Sequence, residues 1–244
     1  MSSRPSALVI AAPGTNRHPD VIFALEQAGA IATSLNLQQL ADQPSAIDKA
    51  QMIVIAGGFS FADALGAGRL FALEMSHAFG DALENAVARS TPIIGICNGF
   101  QTLVRMGILP GVGHLAALGH NASGGFQCRW MRIKPVSQRS VWTRGLDQDI
   151  YCPIAHGEGR FTCDDATLTA LQKNDQVALT YSSANPNGSR GDIAGICDES
   201  GFVLGLMPHP ENHVVARQHP QFHRGKRDGL GLNLFRQGVS IAGS

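Results

Sequence analysis

The stretch Thr91–Gln101, T-P-I-I-G-I-C-N-G-F-Q, constrains the chain more than any other. Pro92 to Ile96 is short and apolar, the pattern of a strand buried on both faces. A cysteine between glycines follows, and then a run suited to a helix. Gly95, Cys97 and Gly99 have the G-x-nucleophile-x-G form, in which a sharp strand-to-helix turn presents a reactive side chain above a sheet. Glycines two before and two after it let strand and helix approach without Cβ clashes. The helix N-terminus sets the positive end of its dipole beside the sulfur, which favours thiolate. For this motif alone a buried structural cysteine is the competing reading, so the rest of the chain has to decide.

The first hundred residues alternate between the two periodicities. Ala7 to Ala12 is an apolar strand-like run closed by Pro13-Gly14, and Pro19–Ala28 places Val21, Ala24, Leu25 and Ala28 at helical spacing before Gly29. Ala30–Leu35 and Gln51–Ala56 read as further strands. A helical region is predicted from Asp63 to about Ser90, broken near Gly80-Asp81. The Pro92–Ile96 strand and a helix through Met106 follow. This rhythm predicts right-handed crossovers and a mostly parallel sheet flanked by helices. After Pro110 the pattern changes: Phe126–Ile133, Asp149–Ala155, Gln176–Tyr181, Ile193–Cys197 and Phe202–Met207 read as strands of an added antiparallel section. Helices are predicted at Asp164–Asn174 and Leu230–Gln237. No repeat or linker divides the chain, so residues 1–244 are expected to form one α/β domain.

Composition narrows the partners. Acidic and basic residues balance at 19 each, which gives no support for nucleic-acid or membrane binding. The cysteine count of 5 is odd and without C-x-x-C spacing, against a disulfide framework or a thiolate zinc site. No signal-peptide pattern and no long apolar span is present, and a reducing cytoplasm is the expected compartment. No phosphate-binding G-x-x-x-x-G-K-[ST] and no strand-linked G-x-G-x-x-G occurs, so no nucleotide site of its own is expected. His209/His213 and His219/His223 have helical metal spacing, but Pro210 and Pro220 interrupt a helix there and no metal is expected. Arg217, Arg224, Lys226, Arg227 and Arg236 read as a solvated face that leaves room for a docking role.

Cys97 needs a base. His209 follows a strand end, as Cys97 does, and ligands of parallel sheets gather at those ends. Glu211, two residues on, is placed to hold the imidazole through its other nitrogen, giving nucleophile, base and orienter in the order Cys97, His209, Glu211. Gly57-Gly58-Phe59-Ser60 closes a strand with free N–H groups, and acyl transfer needs donors aimed at an oxyanion. The N–H of Asn98, directly after the nucleophile, is one candidate and this loop the other. His156 and Glu158, in C-P-I-A-H-G-E-G-R (152–160), form a rival pair that the residues alone leave open.

Together, G-I-C-N-G-F-Q (95–101) and M-P-H-P-E (207–211) resemble the class I glutamine amidotransferases of the triad type. Six further stretches narrow the resemblance: P-G-T-N (13–16), A-G-G-F-S-F-A-D-A-L-G-A-G-R (56–69), P-I-A-H-G-E-G-R-F (153–161), N-P-N-G-S (185–189), I-A-G-I-C (193–197) and L-G-L-M-P-H-P-E (204–211). They are similar to the glutaminase subunits of phosphoribosylformylglycinamidine synthase, of purine biosynthesis. Phe61-Ala62 stands where that family more often has Tyr-Gly, and Arg17-His18 replaces a cysteine-containing run.

The resemblance implies a flavodoxin-like fold and a reaction. Cys97 thiolate attacks the side-chain amide of L-glutamine, Gly58 and Asn98 N–H groups hold the oxyanion, and His209, oriented by Glu211, protonates the leaving ammonia. Water then hydrolyses the γ-glutamyl thioester. Phe59, Gln101 and His156 are implied substrate contacts. Ammonia passes to a synthetase subunit, which carries ATP and magnesium and converts formylglycinamide ribonucleotide to the amidine, with room for a third small subunit. The oxyanion loop is expected to order fully only beside that synthetase. Two other readings stand beside this one: a different cysteine-elbow hydrolase (a peptidase or γ-glutamyl hydrolase), and a non-catalytic docking subunit.

Overall fold

The order in which the strands lie follows from where the apolar runs fall and from the hand of the connections between them. In the computed structural model, which describes residues 4–244, β1 (Ser6–Ala11), α1 (His18–Ala28) and β2 (Ile31–Asn36) open the chain. Two short helices, α2 (Leu37–Asp42) and α3 (Ser45–Lys49), lead to β3 (Met52–Ile55). Then come α4 (Arg69–Ala88), β4 (Ile93–Ile96) and α5 (Asn98–Arg105). The second half contains β5 (Ala116–His120), β6 (Gln127–Pro135), β7 (Ile150–His156), β8 (Glu158–Cys163), α6 (Asp165–Lys173), β9 (Val177–Tyr181), β10 (Ile193–Cys197), β11 (Val203–Leu206) and α7 (Leu232–Ala242).

One nine-stranded sheet runs β2-β1-β3-β4-β11-β10-β9-β6-β7. Its first five strands are parallel and the rest pair antiparallel. From β1 the chain steps one way to β2 and the other way to β3. Right-handed crossovers therefore put α1 on one face and the α2–α3 and α4 connections on the other. In keeping with this, α1 packs on α7, and α4 on α3 and α5. Covered on both faces, β3, β4 and β11 are buried throughout, which explains why none of them carries a polar side chain.

Three predicted features differ. The helix read from Asp63 begins only at Arg69, because Phe61, Ala62 and Asp63 have left-handed backbone and Gly68 (φ 72°) starts the helix. No break occurs at Gly80-Asp81: Phe71, Met75, Phe79, Leu83 and Ala86 continue one buried stripe through it, and that packing outweighs the weak helix propensity of glycine. The H-G-E-G stretch that follows the predicted Asp149–Ala155 strand joins it to a further strand that the sequence pattern did not predict. β7 pairs with β6 in the main sheet, Gly157 turns the chain, and β8 pairs with β5 in a separate two-stranded ladder.

β3, β4 and β11 are neighbours, with Ile55 level with Gly95 and Leu206 with Ile96. Their carboxyl ends release Gly57-Gly58, Cys97 and His209 side by side. The elbow itself depends on bare backbone: a Cβ on Gly99 would lie 2.0 Å from the Ile55 carbonyl oxygen. Gly99→Ala is expected to cost at least about 1–3 kcal/mol, the usual range for overpacking, read as a lower urea midpoint at unchanged m-value. A midpoint equal to that of the parent would contradict the packing described.

Candidate active site

Cys97 is the hinge residue between β4 and α5. Its backbone sits at φ 52°, ψ −105°, a strained region for a residue with a Cβ. Its N–H donates to the Leu206 carbonyl at 2.7 Å, and its side chain is buried. Gly57 fits tightly beside it: a Cβ there would come within 3.2 Å of the Cys97 Cβ and 3.0 Å of His209 Cε1. The other buried cysteines are chemically quiet. Burial, followed by the Glu211 charge, pushes the Cys152 thiol well up, and burial and Asp198 raise Cys197 to about 12.

His209 leaves β11 through Met207-Pro208, with its N–H on the Pro153 carbonyl at 2.9 Å. Its Nδ1–H donates to Glu211 Oε1 at 2.6 Å. That leaves Nε2 as the ring nitrogen free to exchange a proton with Cys97, which lies with His209 beside Gly57. Burial disfavours the charged ring, but the Glu211 carboxylate and Cys97 outweigh it and raise His209 to about 10. The balance is physically required. Glu211 is fully buried and its Oε2 has no partner among the described residues, so an adjacent imidazolium is what compensates its charge. Cysteine, histidine and glutamate thus stand in an arrangement that can pass a proton between Nε2 and the sulfur or a group bound beside it.

His156, the rival base, has the opposite environment. Asn121 Nδ2 donates to the carbonyls of Gly125 (2.9 Å) and His156 (2.8 Å), which leaves its Oδ1 to accept from His156 Nδ1–H at 3.0 Å. Burial, then the charge of His209, lowers His156 to about 4. It is a neutral ring whose buried Nε2 has no partner and whose Nδ1 has no carboxylate partner among the described residues, and it is poorly suited to serve as the base. The two imidazoles are pushed apart in charge, the pattern that separates acid–base roles.

The glycine loop lies over the elbow. Gly58 has φ 132°, and a Cβ on it would meet Asn16 N and Oδ1 at 2.6 Å. The P-G-T-N stretch therefore backs the loop, a role that its turn-like composition gave no sign of. Phe59, exposed on this loop, stacks on Phe126 with ring centroids 6.1 Å apart. Gln101 is buried in α5 and donates its amide N–H to the Glu158 carbonyl at 2.7 Å. Sequence reading missed Asn121 and Asn187. Asn187 Nδ2 holds the Gly159 carbonyl at 2.8 Å, so N-P-N-G-S braces the β7–β8 junction. The residue type was the available signal, since a buried asparagine must find partners for its amide. His213 and His219, two of the four spaced histidines, instead pack with Trp130 and Tyr151 in an aromatic nest, with the ring nitrogen Nδ1 of His213 donating to the Tyr151 carbonyl. The basic residues Arg217, Arg224, Lys226, Arg227 and Arg236 are exposed. No helix among the described residues is long and apolar enough to cross a membrane.

A sequence model described as the CobB/CobQ-like glutamine amidotransferase domain matches residues 4–241. The chain belongs to the glutamine amidotransferase family. It is 43% identical over 266 aligned residues to the phosphoribosylformylglycinamidine synthase subunit PurQ of Treponema denticola, covering 97% of this chain and 98% of that protein. It is 38% identical to the subunit of the same name in Dehalococcoides mccartyi, covering 98% of each. Among solved structures, a chain of PurLQS from Thermotoga maritima superposes with a TM-score of 0.78 at 32% identity, covering 98% of this chain and 99% of that one. The expected amidotransferase fold, a parallel sheet between helices with an antiparallel extension, is thereby established.

The raised value of His209 has a sign that experiment can check. Because it lies above the ordinary 6.5, the stability that the charged pair contributes is fully present below about 6.5. It is lost as pH rises through about 10. In Glu211→Gln the His209 ring, followed by nitrogen-resolved NMR, is expected to titrate well below the parent. An unchanged titration would show that the carboxylate does not hold the charge.

Proposed function

We propose that the chain hydrolyses L-glutamine to glutamate and ammonia. Cys97 is the nucleophile, His209 the acid–base and Glu211 its orienter. The observation that carries this reading is the strained elbow cysteine facing a buried, carboxylate-paired imidazole in a glutamine amidotransferase. The thiolate adds to the amide carbon of glutamine, and the oxyanion lies between the N–H groups of Gly58 and Asn98. His209 gives its Nε2 proton to the amide nitrogen, the C–N bond breaks, and ammonia leaves a γ-glutamyl thioester on Cys97. Water gives a proton to His209 and its oxygen to the acyl carbon, the C–S bond breaks, and glutamate leaves a thiolate–imidazolium pair as at the start. Phe59, Gln101 and His156 line the substrate side, with the bare Nε2 of His156 offering an acceptor to substrate N–H groups.

The ammonia is destined for a synthetase subunit that converts formylglycinamide ribonucleotide to formylglycinamidine ribonucleotide with ATP. What supports this is near end-to-end similarity to subunits named for that synthase and to a chain in a structure titled PurLQS. ATP and magnesium act on the synthetase, this chain supplies no cofactor, and the work is cytoplasmic. Docking completes the order of the oxyanion loop, so adding the synthetase raises glutaminase turnover.

The test uses Cys97→Ser reconstituted with the synthetase. Glutamine-dependent amidine formation is expected to fall by at least about a thousandfold, the scale of losing a catalytic nucleophile, while formation from added ammonium salts is retained. Glutamine-dependent turnover by the variant would overturn the assignment, and a parent that cleaves γ-glutamyl peptides but not glutamine would favour a hydrolase of another kind.

A further inference from the structure

Between the Gly57-Gly58 loop and α4 the backbone is left-handed at three successive residues, Phe61, Ala62 and Asp63, with φ of 51°, 53° and 54°. Residues with a Cβ visit this region singly, since the Cβ crowds the next carbonyl oxygen. A run of three persists only where its surroundings over-determine it. One restraint is backbone: the Phe61 N–H donates to the Pro13 carbonyl at 2.6 Å. The other is a side chain, that of Asn98. Its Oδ1 accepts a hydrogen bond from the Ser60 hydroxyl, and its Nδ2 donates to Asp63 Oδ1 at 3.0 Å. Ser60 and Asn98 are both buried. The residue that follows the nucleophile thus grips the left-handed turn from both sides.

We propose that Ser60 and Asp63 are positioning residues which, through the side chain of Asn98, hold the two oxyanion donors in register. The inference rests on the glutaminase reading above. Those donors belong to separate segments, Asn98 at the start of α5 and Gly58 in the loop after β3, and no covalent geometry sets their separation. The Ser60–Asn98–Asp63 clamp ties the segments two residues from Gly58 and at Asn98 itself. An oxyanion hole works only when its donors stand about 2.7–3.1 Å from the developing charge, so slack between the segments weakens the transition state more than the ground state. Asp63 is also a costly choice for a turn. Burial and the charge of Glu158 both raise it, while the Asn98 N–H lowers it. A carboxylate kept there gives Asn98 a charge-assisted acceptor, stronger than an amide oxygen.

The experiment measures glutamine hydrolysis by the complex with its synthetase. Asp63→Ala and Ser60→Ala are each expected to lower kcat about tenfold or more, with KM within about twofold, the split that marks an interaction felt mainly in the transition state. Asn98→Asp sets two carboxylates against each other and is expected to be slower still. Adding Asp63→Asn to it restores the N–H···O contact with donor and acceptor exchanged, and the Ser60 hydroxyl still has an oxygen to meet. This swapped pair is expected to recover about tenfold in kcat over Asn98→Asp. Such rescue is not expected of residues that only stabilise the fold. Parent-like kcat in Asp63→Ala, or a swapped pair no faster than Asn98→Asp, would overturn the clamp while leaving the glutaminase reading intact. A parent complex that leaves glutamine untouched would overturn the reading and the clamp together.

Discussion

At Cys97 the backbone takes φ 52° and ψ −105°, and the features of the site follow from how that conformation is tolerated. Strain of about 1–3 kcal/mol is typical of such positions. It is offset by close packing that only glycine permits: Gly99 rests on the Ile55 carbonyl, and Gly95 on the Gly99 backbone, where a Cβ would stand 2.6 Å from its oxygen. The same turn lifts the sulfur above the carboxyl ends of β3, β4 and β11. Once the three strands lie side by side, a glycine loop, a cysteine and a histidine converge without any long-range device. The fold supplies proximity, and the elbow supplies direction.

Electrostatics then distinguishes residues that sequence alone leaves equivalent. Two buried histidines stand near enough to feel each other's charge, and one of them, His209, lies beside Cys97. One shares its proton with a carboxylate that has no other partner among the described residues, and it is held charged. The other gives its proton to an asparagine whose amide orientation is fixed by two carbonyls, and it is held neutral. A charged, carboxylate-backed ring can protonate a leaving amine, whereas a neutral ring with a bare nitrogen can only accept. The choice between His209 and His156 is made by their partners, Glu211 and Asn121.

Much of this was legible beforehand, and the parts that were not have physical reasons. The apolar runs of β1, β3, β4 and β11 identify buried parallel strands because both faces are covered. Cys97, His209 and Glu211 could be paired because both segments follow strand ends. The strand after the H-G-E-G junction went unassigned because glycines signal loops locally, whereas pairing with β5 and β6 decides the matter at long range. The turn at Phe61-Ala62-Asp63 was not foreseen, and the predicted helix was started inside it at Asp63, since its left-handed backbone is imposed by Pro13 and Asn98 and leaves no periodicity. The departure from Tyr-Gly at Phe61-Ala62 falls within this turn, where Ala62 holds a conformation that suits glycine better. The roles of Asn121 and Asn187 went unassigned for a related reason: residue type hints at a buried amide, but the partners that give it a role are distant in sequence.

Glutamine hydrolysis by this chain requires that Cys97 be the one sulfur that bound glutamine can reach. The most direct measurement is covalent labelling by the glutamine analogue 6-diazo-5-oxo-norleucine, read by intact mass and peptide mapping, on the chain with its synthetase. A single adduct on the Cys97 peptide, with Cys128, Cys152, Cys163 and Cys197 unmodified and glutamine protecting, is the predicted result. An adduct on another cysteine, or none in a complex that is otherwise competent with ammonia, would contradict it.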